Sequence, residues 1–263
     1  MCMGIFASDI TPNAKSAILA EESSGKILYE KNINEKRSPA SMTKIMTLLL
    51  TMEALDSGKI KLDDEVTISS NASGMGGTQI YAEAGSKVKV DVLIKGISVA
   101  SANDAAVAIG EYIGGTLDNF VSMMNKRAKE LGCENTNFVN PHGLDEKDHY
   151  TTAYDLFLIA RELLKHEDIL KYTSIYEDYV TVSGKEHWLV NTNKLVKFYP
   201  GIDGLKTGYT NNAGYCLTST MKKNDMRLVS IVMGEDTKEH RTNETVSLLE
   251  YGYSMYGVST IYD

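Results

Sequence analysis

The chain has 263 residues, is 43% hydrophobic and carries a formal net charge of −8. That length supports one large domain with a substantial core, and the charge argues against a nucleic-acid partner, whose phosphates require clustered positive residues. Cys2, Cys133 and Cys216 match no C-x-x-C, zinc or even disulfide spacing, and no H-E-x-x-H stands among the five histidines, so no metal or other cofactor is expected.

Residues 1–8 are apolar but too short for a signal peptide and lack a basic start. They resemble the tail of a leader, which makes this an expected exported protein; no transmembrane span follows. Extended segments at 17–19 and 27–29 flank a Ser23-Ser24-Gly25-Lys26 turn and read as an N-terminal hairpin. A helix opens next, with Ser38 as N-cap and Pro39 at the first helical position. Ile45, Met46, Leu48, Leu49, Leu50, Met52 and Leu55 give it an apolar face broad enough for a central helix, and Gly58 is a plausible stop.

Residues 65–68 read as a short strand ending at Ser69-Ser70-Asn71 and a glycine-rich loop, and Ser86-Lys87-Val88-Lys89 follows Gly85 in another loop. Apolar segments 90–99 and 105–109 meet at Ser101-Ala102-Asn103, where Asn103 is a good N-cap for 104–110. His142 reads as a loop residue in Pro141-His142-Gly143. Lys206-Thr207-Gly208 stands in an extended stretch, followed by a hairpin of 214–221 and 226–233 around Lys222-Lys223-Asn224-Asp225, with Cys216 in its core strand. A last helix over 237–255 buries Val246, Leu248, Leu249 and Tyr253. A hairpin, a helix-rich middle (about 41–172), then a hairpin and helix predict an α/β (α+β) fold with an antiparallel sheet flanked by helices.

Three short motifs, S-x-x-K at Ser41–Lys44, S-x-N at Ser101–Asn103 and K-T-G at Lys206–Gly208, lie 60 and then 105 residues apart. S-x-x-K occurs four times, beginning at Ser23, Ser41, Ser86 and Ser219, but only the copy at Ser41 opens a good helix. There Ser41 and Lys44 rise from one face, one turn apart. A serine hydroxyl is a weak nucleophile until a base takes its proton, and a lysine amine serves once burial or a second cation lowers its pKa. Lys206 is that second cation if its strand lies beside the helix. Ser101 and Asn103 suit a proton relay and a substrate clamp, beside the cap reading for Asn103. Gly208 lets the strand approach the serine helix closely, whereas a plain hairpin edge is the simpler alternative.

In this order the motifs resemble those of active-site serine acyltransferases. The chain is similar to the low-molecular-mass penicillin-binding proteins that act as serine-type D-alanyl-D-alanine carboxypeptidases. The likeness extends over roughly residues 9–256, including Lys15-Ser16-Ala17-Ile18-Leu19, Gly76-Gly77-Thr78-Gln79-Ile80-Tyr81, Asn140-Pro141-His142-Gly143-Leu144-Asp145, Tyr150-Thr151-Thr152-Ala153-Tyr154-Asp155 and Ala213-Gly214-Tyr215. It implies a β-lactamase/transpeptidase-like fold with about five strands and a helical subdomain. It implies further that Ser41 is acylated, Lys44 is its base, and Ser101 with Asn103 relays the proton and clamps the substrate. By the same resemblance Lys206, Thr207 and Arg241 meet the substrate carboxylate, while the backbone N–H groups of Ser41 and Tyr209 form the oxyanion hole. The implied substrate is the peptidoglycan stem peptide, β-lactams are covalent inhibitors, and the place of action is the outer face of the cytoplasmic membrane or the cell wall.

Three departures accompany the likeness. Many members carry a second β-rich domain and a C-terminal amphipathic anchor, whereas the expectation here is one catalytic domain over 9–258 and a short tail at 259–263. Some members have an arginine where Asn191-Thr192-Asn193 stands, and some have histidine at the position of Tyr209. A β-lactamase would share the three motifs, but the class A enzymes use a glutamate-bound water, and no E-x-x-L-N occurs here. A sensor that stays acylated, and an endopeptidase of cross-linked peptides, remain open from sequence.

Overall fold

The computed structural model describes residues 9–257; the expected leader remnant (1–8) and the tail (259–263) lie outside them. The chain begins with the hairpin β1 (Ser16–Glu21) and β2 (Ile27–Lys31), then enters a 3₁₀ turn, Ala40–Thr43, that runs into α1 (Lys44–Asp56). The middle holds β3 (Glu65–Thr67), α2 (Ser70–Ser73), β4 (Lys87–Lys89), α3 (Val90–Lys95) continued by a π turn (Gly96–Ala100), α4 (Asn103–Gly114), α5 (Leu117–Glu130), α6 (Ala153–Leu164) and α7 (Leu170–Thr173). A second hairpin, β5 (Glu177–Val182) and β6 (Lys185–Val190), and α8 (Leu195–Phe198) lead to β7 (Ile202–Thr210), β8 (Gly214–Lys223), β9 (Met226–Glu235) and α9 (Lys238–Met255).

Five strands form one antiparallel sheet in the order β2-β1-β9-β8-β7, so the two chain ends share it. All six residues of β1 are buried, which requires cover on both faces. Side chains in a strand alternate, and the two cores follow that period. Ala17 and Leu19 of β1, with Leu228 and Val232 of β9, pack with Leu248 and Leu249 of α9. Ile18 and Ala20, with Val229, Ile231 and Met233, turn the other way into the helical core that contains Ile45, Leu48 and Leu156. Val246 and Tyr253 only flank the α9 core, where the sequence suggested burial.

α1 is buried continuously from Lys44 to Met52, which fits the central helix expected from its broad apolar face. Its start differs from the sequence reading. Ser38 makes no cap; its hydroxyl donates to Asp145 Oδ1 at 2.6 Å, and the first turn tightens to 3₁₀ geometry behind Pro39. Gly58 does end the helix, with φ +70° and its N–H on the Leu55 carbonyl. Between β8 and β9 only Asn224 and Asp225 form the turn, both with positive φ, the twist that a two-residue hairpin needs.

Two expected loops are ordered elements. Ser69 caps α2 by accepting the Ala72 N–H, and the segment after Ser86 pairs as β4 with β3. The β5–β6 hairpin had no counterpart in the sequence reading. Among the described residues no helix is long and apolar enough to cross a membrane.

Candidate active site

The serine wall is built at the junction of the 3₁₀ turn and α1. Ser41 lies in the turn and Lys44 is the first residue of the helix, so both project from one end. Lys44 is fully buried, and its Nζ lies 3.0 Å from Ser41 Oγ, 2.7 Å from Asn103 Oδ1 and 2.6 Å from the His142 carbonyl. Burial, then the charge of Lys206, hold the Lys44 pKa well below the usual lysine range against the opposing pull of Asp104. A neutral amine has two N–H donors and one lone pair. The Asn103 and His142 oxygens take the donors, which leaves the lone pair for the Ser41 hydroxyl.

Several groups hold this turn in place. His149 Nδ1 accepts the Val139 N–H at 3.0 Å, which fixes the proton on Nε2. Nε2 then lies 2.8 Å from Thr43 Oγ1, whose hydroxyl donates to the Ala40 carbonyl at 2.8 Å. Burial pushes the His149 pKa down to about 4 and that of His142, beside Lys44, down to about 3, so both rings are neutral. Gly143 has φ +88°, and a Cβ there would fall 1.8 Å from the Ala40 oxygen; only glycine lets this loop meet the turn.

Asn103 is the first residue of α4 rather than its N-cap, which is Ala102. The reason is that the Asn103 amide is committed elsewhere: its oxygen accepts from Lys44 and its Nδ2 donates to the Gly76 carbonyl at 2.8 Å. Buried Asp104 fixes the same loop by accepting the Ile80 N–H at 3.0 Å and the Ala82 N–H at 3.1 Å. Ser101 ends the π turn in the left-handed region, φ +65°, a conformation that costs a non-glycine residue about 1–3 kcal/mol and is typical of functional positions.

The facing wall is β7 with the start of α9. Gly208 touches the serine turn: a Cβ there would lie 3.0 Å from the Pro39 oxygen and 3.1 Å from Ala40 Cβ. Lys206 is buried and donates only to the Thr207 carbonyl, at 2.9 Å. Burial and the nearby Arg241 push its pKa down to about 7. Thr207 Oγ1 donates to Thr192 Oγ1 at 2.7 Å. Arg241 is buried on the first turn of α9, and its Nε has no hydrogen-bond partner among the described residues. Burial also lowers its pKa, partly offset by Cys216, Tyr215 and Glu235 in that order. Tyr209 is 51% exposed and stacks on Tyr215 with ring centroids 4.3 Å apart.

Between the walls lies a cavity of about 530 Å³ lined by Ser41, Ser101, Thr207, Gly208, Tyr209 and Arg241, with Thr78, Thr192, Lys194 and Lys238 among the other lining residues. Lys44 and Asn103 stand directly behind Ser41, and Lys206 stands behind Thr207 and Arg241. Thr78 stands in the Gly76–Tyr81 segment that carried the likeness, whereas Lys194 and Lys238 were not singled out in the sequence. In Asn191-Thr192-Asn193 the first two residues line the cavity, and Thr192 also contacts Thr207. Asn191 donates to the Thr173 and Ile175 carbonyls, and Asn193 donates to the Gly204 carbonyl.

The remaining S-x-x-K serines are engaged elsewhere. Ser23 binds Glu21, Ser86 donates to the Glu83 carbonyl, and Ser219 donates to the Gly204 carbonyl within the sheet. Burial pushes the Cys216 thiol up to about 11 and Cys133 to about 12, which removes them as nucleophiles at neutral pH. Glu235, Asp236 and His240 bring ligand-type atoms within 4.8 Å of one another at the β9–α9 turn, but His240 is already held by Asp236 at 2.6 Å.

The family model described as D-alanyl-D-alanine carboxypeptidase matches residues 5–237. The Bacillus subtilis D-alanyl-D-alanine carboxypeptidase DacF is 52% identical over 98% of this chain and 67% of its own length. The Escherichia coli D-alanyl-D-alanine carboxypeptidase DacC is 36% identical over 97% of this chain and 66% of its own length, so the chain spans about two thirds of these relatives. Penicillin-binding protein 5 from Haemophilus influenzae superposes with a TM-score of 0.88 at 36% identity, over 95% of this chain and 73% of that one. Penicillin-binding protein D2 from Listeria monocytogenes, in its ampicillin-bound form, gives 0.82 at 34% identity over 92% and 98%.

Proposed function

Because the chain belongs to the D-alanyl-D-alanine carboxypeptidase family, a family of serine peptidases, we propose that it removes the terminal D-alanine of peptidoglycan stem pentapeptides through an acyl-enzyme on Ser41. The same serine is acylated by β-lactams. The observation that carries this reading is the buried Lys44 amine, 3.0 Å from Ser41 Oγ with two oxygen acceptors on its other side.

In this mechanism Ser41 Oγ attacks the carbonyl of the penultimate D-alanine while its proton passes to Lys44 Nζ. The backbone N–H groups of Ser41 and Tyr209 take the oxyanion. As the tetrahedral intermediate collapses, the C–N bond breaks and the departing amine receives a proton through Ser101. Asn103 holds both Lys44 and the substrate-facing loop at Gly76. Lys206, Thr207 and Arg241 orient the terminal carboxylate, which leaves with D-alanine and makes room for the water that hydrolyses the ester. With penicillin the opened ring keeps its leaving group tethered over the site, so release is slow. Such a substrate lies outside the cytoplasm, and export of the protein follows from this reading.

Incubation with a pentapeptide ending in D-Ala-D-Ala is expected to release free D-alanine steadily, and a fluorescent penicillin is expected to label stoichiometrically and dissociate slowly. Ser41→Ala abolishes both with the fold intact. Rapid multiple turnover of penicillin without peptide hydrolysis would instead make the protein a β-lactamase.

A further inference from the structure

Four water-exposed aromatic rings stand on or near the β5–β6 hairpin. Tyr81, Tyr179, Trp188 and Phe198 are each 59–67% exposed, although large apolar side chains are usually buried. All four lie on or against the β5–β6 hairpin. Tyr179 and Trp188 are direct cross-strand partners, so their rings share its outward face, while Val180, Val182 and Leu189 point into the core. Tyr81, in the left-handed region at φ +59°, stacks at 5.8 Å on His187, which faces the other side of β6, and Phe198 packs edge-on at 6.0 Å against Tyr176, the residue before β5.

This outward face runs into the cavity. Val190, two residues beyond Trp188 on the same face of β6, lines it together with the next residues, Asn191 and Thr192. At about 3.3 Å per residue, Trp188 stands only about 7 Å of strand further out. A stem peptide that places its D-alanine end at Ser41 carries its saccharide at the opposite end, so the polymer must cross some part of the rim. Pyranose rings present C–H faces that stack on aromatic rings and need no charge. Glu177 and Glu186 share the outward face with Tyr179 and Trp188, and the chain is acidic overall, which disfavours an anionic lipid surface there.

We propose that the Tyr179–Trp188 face of the β5–β6 hairpin is a saccharide-binding subsite that holds the glycan to which the stem peptide is attached. This rests on the carboxypeptidase reading above. Trp188 is the only tryptophan in the chain, so its fluorescence reports the face directly. Titration with a neutral N-acetylglucosamine tetramer is expected to shift or quench this emission saturably, and Tyr179→Ala is expected to weaken the response. In kinetics, kcat/KM for a disaccharide-pentapeptide is expected to exceed that for the free pentapeptide. Trp188→Ala should reduce the first about tenfold, the scale of one aromatic contact, and leave the second and penicillin acylation unchanged. Equal losses on both peptides would overturn the proposal. So would a fluorescence response to anionic phospholipid vesicles but not to the tetramer. If neither peptide is turned over, the carboxypeptidase reading fails, and the tetramer titration still decides the subsite.

Discussion

The two walls of the cavity handle their polar groups in opposite ways. On the serine wall nearly every donor and acceptor is matched within the protein: Lys44 has three partners, Asn103 bridges Lys44 and Gly76, and His149, Thr43 and Ala40 form a chain that ends at the serine turn. On the β7–α9 wall the cations are under-used. Lys206 reaches only its neighbour's carbonyl, and buried Arg241 leaves Nε without an acceptor. Leaving a buried donor unmatched costs about 1–3 kcal/mol, a cost that an incoming carboxylate relieves. One wall is satisfied within the protein, whereas on the proposed mechanism the other is completed by the substrate.

Breaking the finished wall should have the largest effect. Lys44→Ala removes the base, and no histidine or carboxylate contacts Ser41 to replace it; acylation by fluorescent penicillin should fall by about 10²–10⁴. Near-normal labelling would transfer the role of base to Lys206 or to a water. Depriving the open wall of its ligand should do less. A pentapeptide amidated at its terminal carboxylate is expected to lose about ten- to a hundredfold in kcat/KM, the value of one charge-assisted contact. Equal turnover of acid and amide would make Lys206 and Arg241 structural residues.

The pH profile separates the walls. Lys44 acts as a base only when neutral, so activity falls as pH drops through its lowered pKa. In the proposed mechanism Lys206 binds the carboxylate only when charged, so activity is expected to decline as pH rises past about 7. The expected profile is a bell, and Lys206→Arg, which keeps its charge, should remove the alkaline limb while the acid limb stays. An alkaline limb that survives the replacement would belong to another group.

The smallest effect concerns the sheet beneath the open wall. Buried Glu235 has no donor on either oxygen and stands beside Glu244, which accepts the Asn13 and Ala14 N–H groups. Desolvation first, then Glu244, push its pKa up to about 9 from 4.5. A folded-state pKa above the unfolded value contributes stability that is complete below 4.5 and lost as pH rises towards 9. Glu235→Gln cannot titrate, so its Tm should vary less across that range than the parent's. Parallel Tm curves would show that Glu235 is already ionised in the folded protein.

The elements governed by local pattern were legible in the sequence. α1 has an apolar face broad enough for a central helix; the β8–β9 hairpin announced itself by alternation around Lys222-Lys223-Asn224-Asp225, though only the last two residues turn; Gly208 had a reason to lack a side chain. What escaped depends on partners far along the chain. Ser38 has every local mark of a helix cap, yet Asp145 takes its hydroxyl. Asn103 also looks like a cap, but its amide goes to Lys44 and Gly76. The β5–β6 hairpin was missed because its outward face carries aromatic and charged residues together, blurring the alternation of a half-buried strand.

One of the three contacts on Lys44 is the main-chain oxygen of His142, and this has an evolutionary consequence. No codon change deletes a carbonyl, so that contact survives any substitution at position 142 that keeps the loop's path. The path itself is guarded at Gly143, where any side chain meets the Ala40 oxygen. Heritable variation at these two positions is therefore either silent or ruinous. Graded change in how the protein responds to substrates or drugs is expected instead where exchangeable side chains such as Thr192, Tyr209 and Arg241 line the cavity.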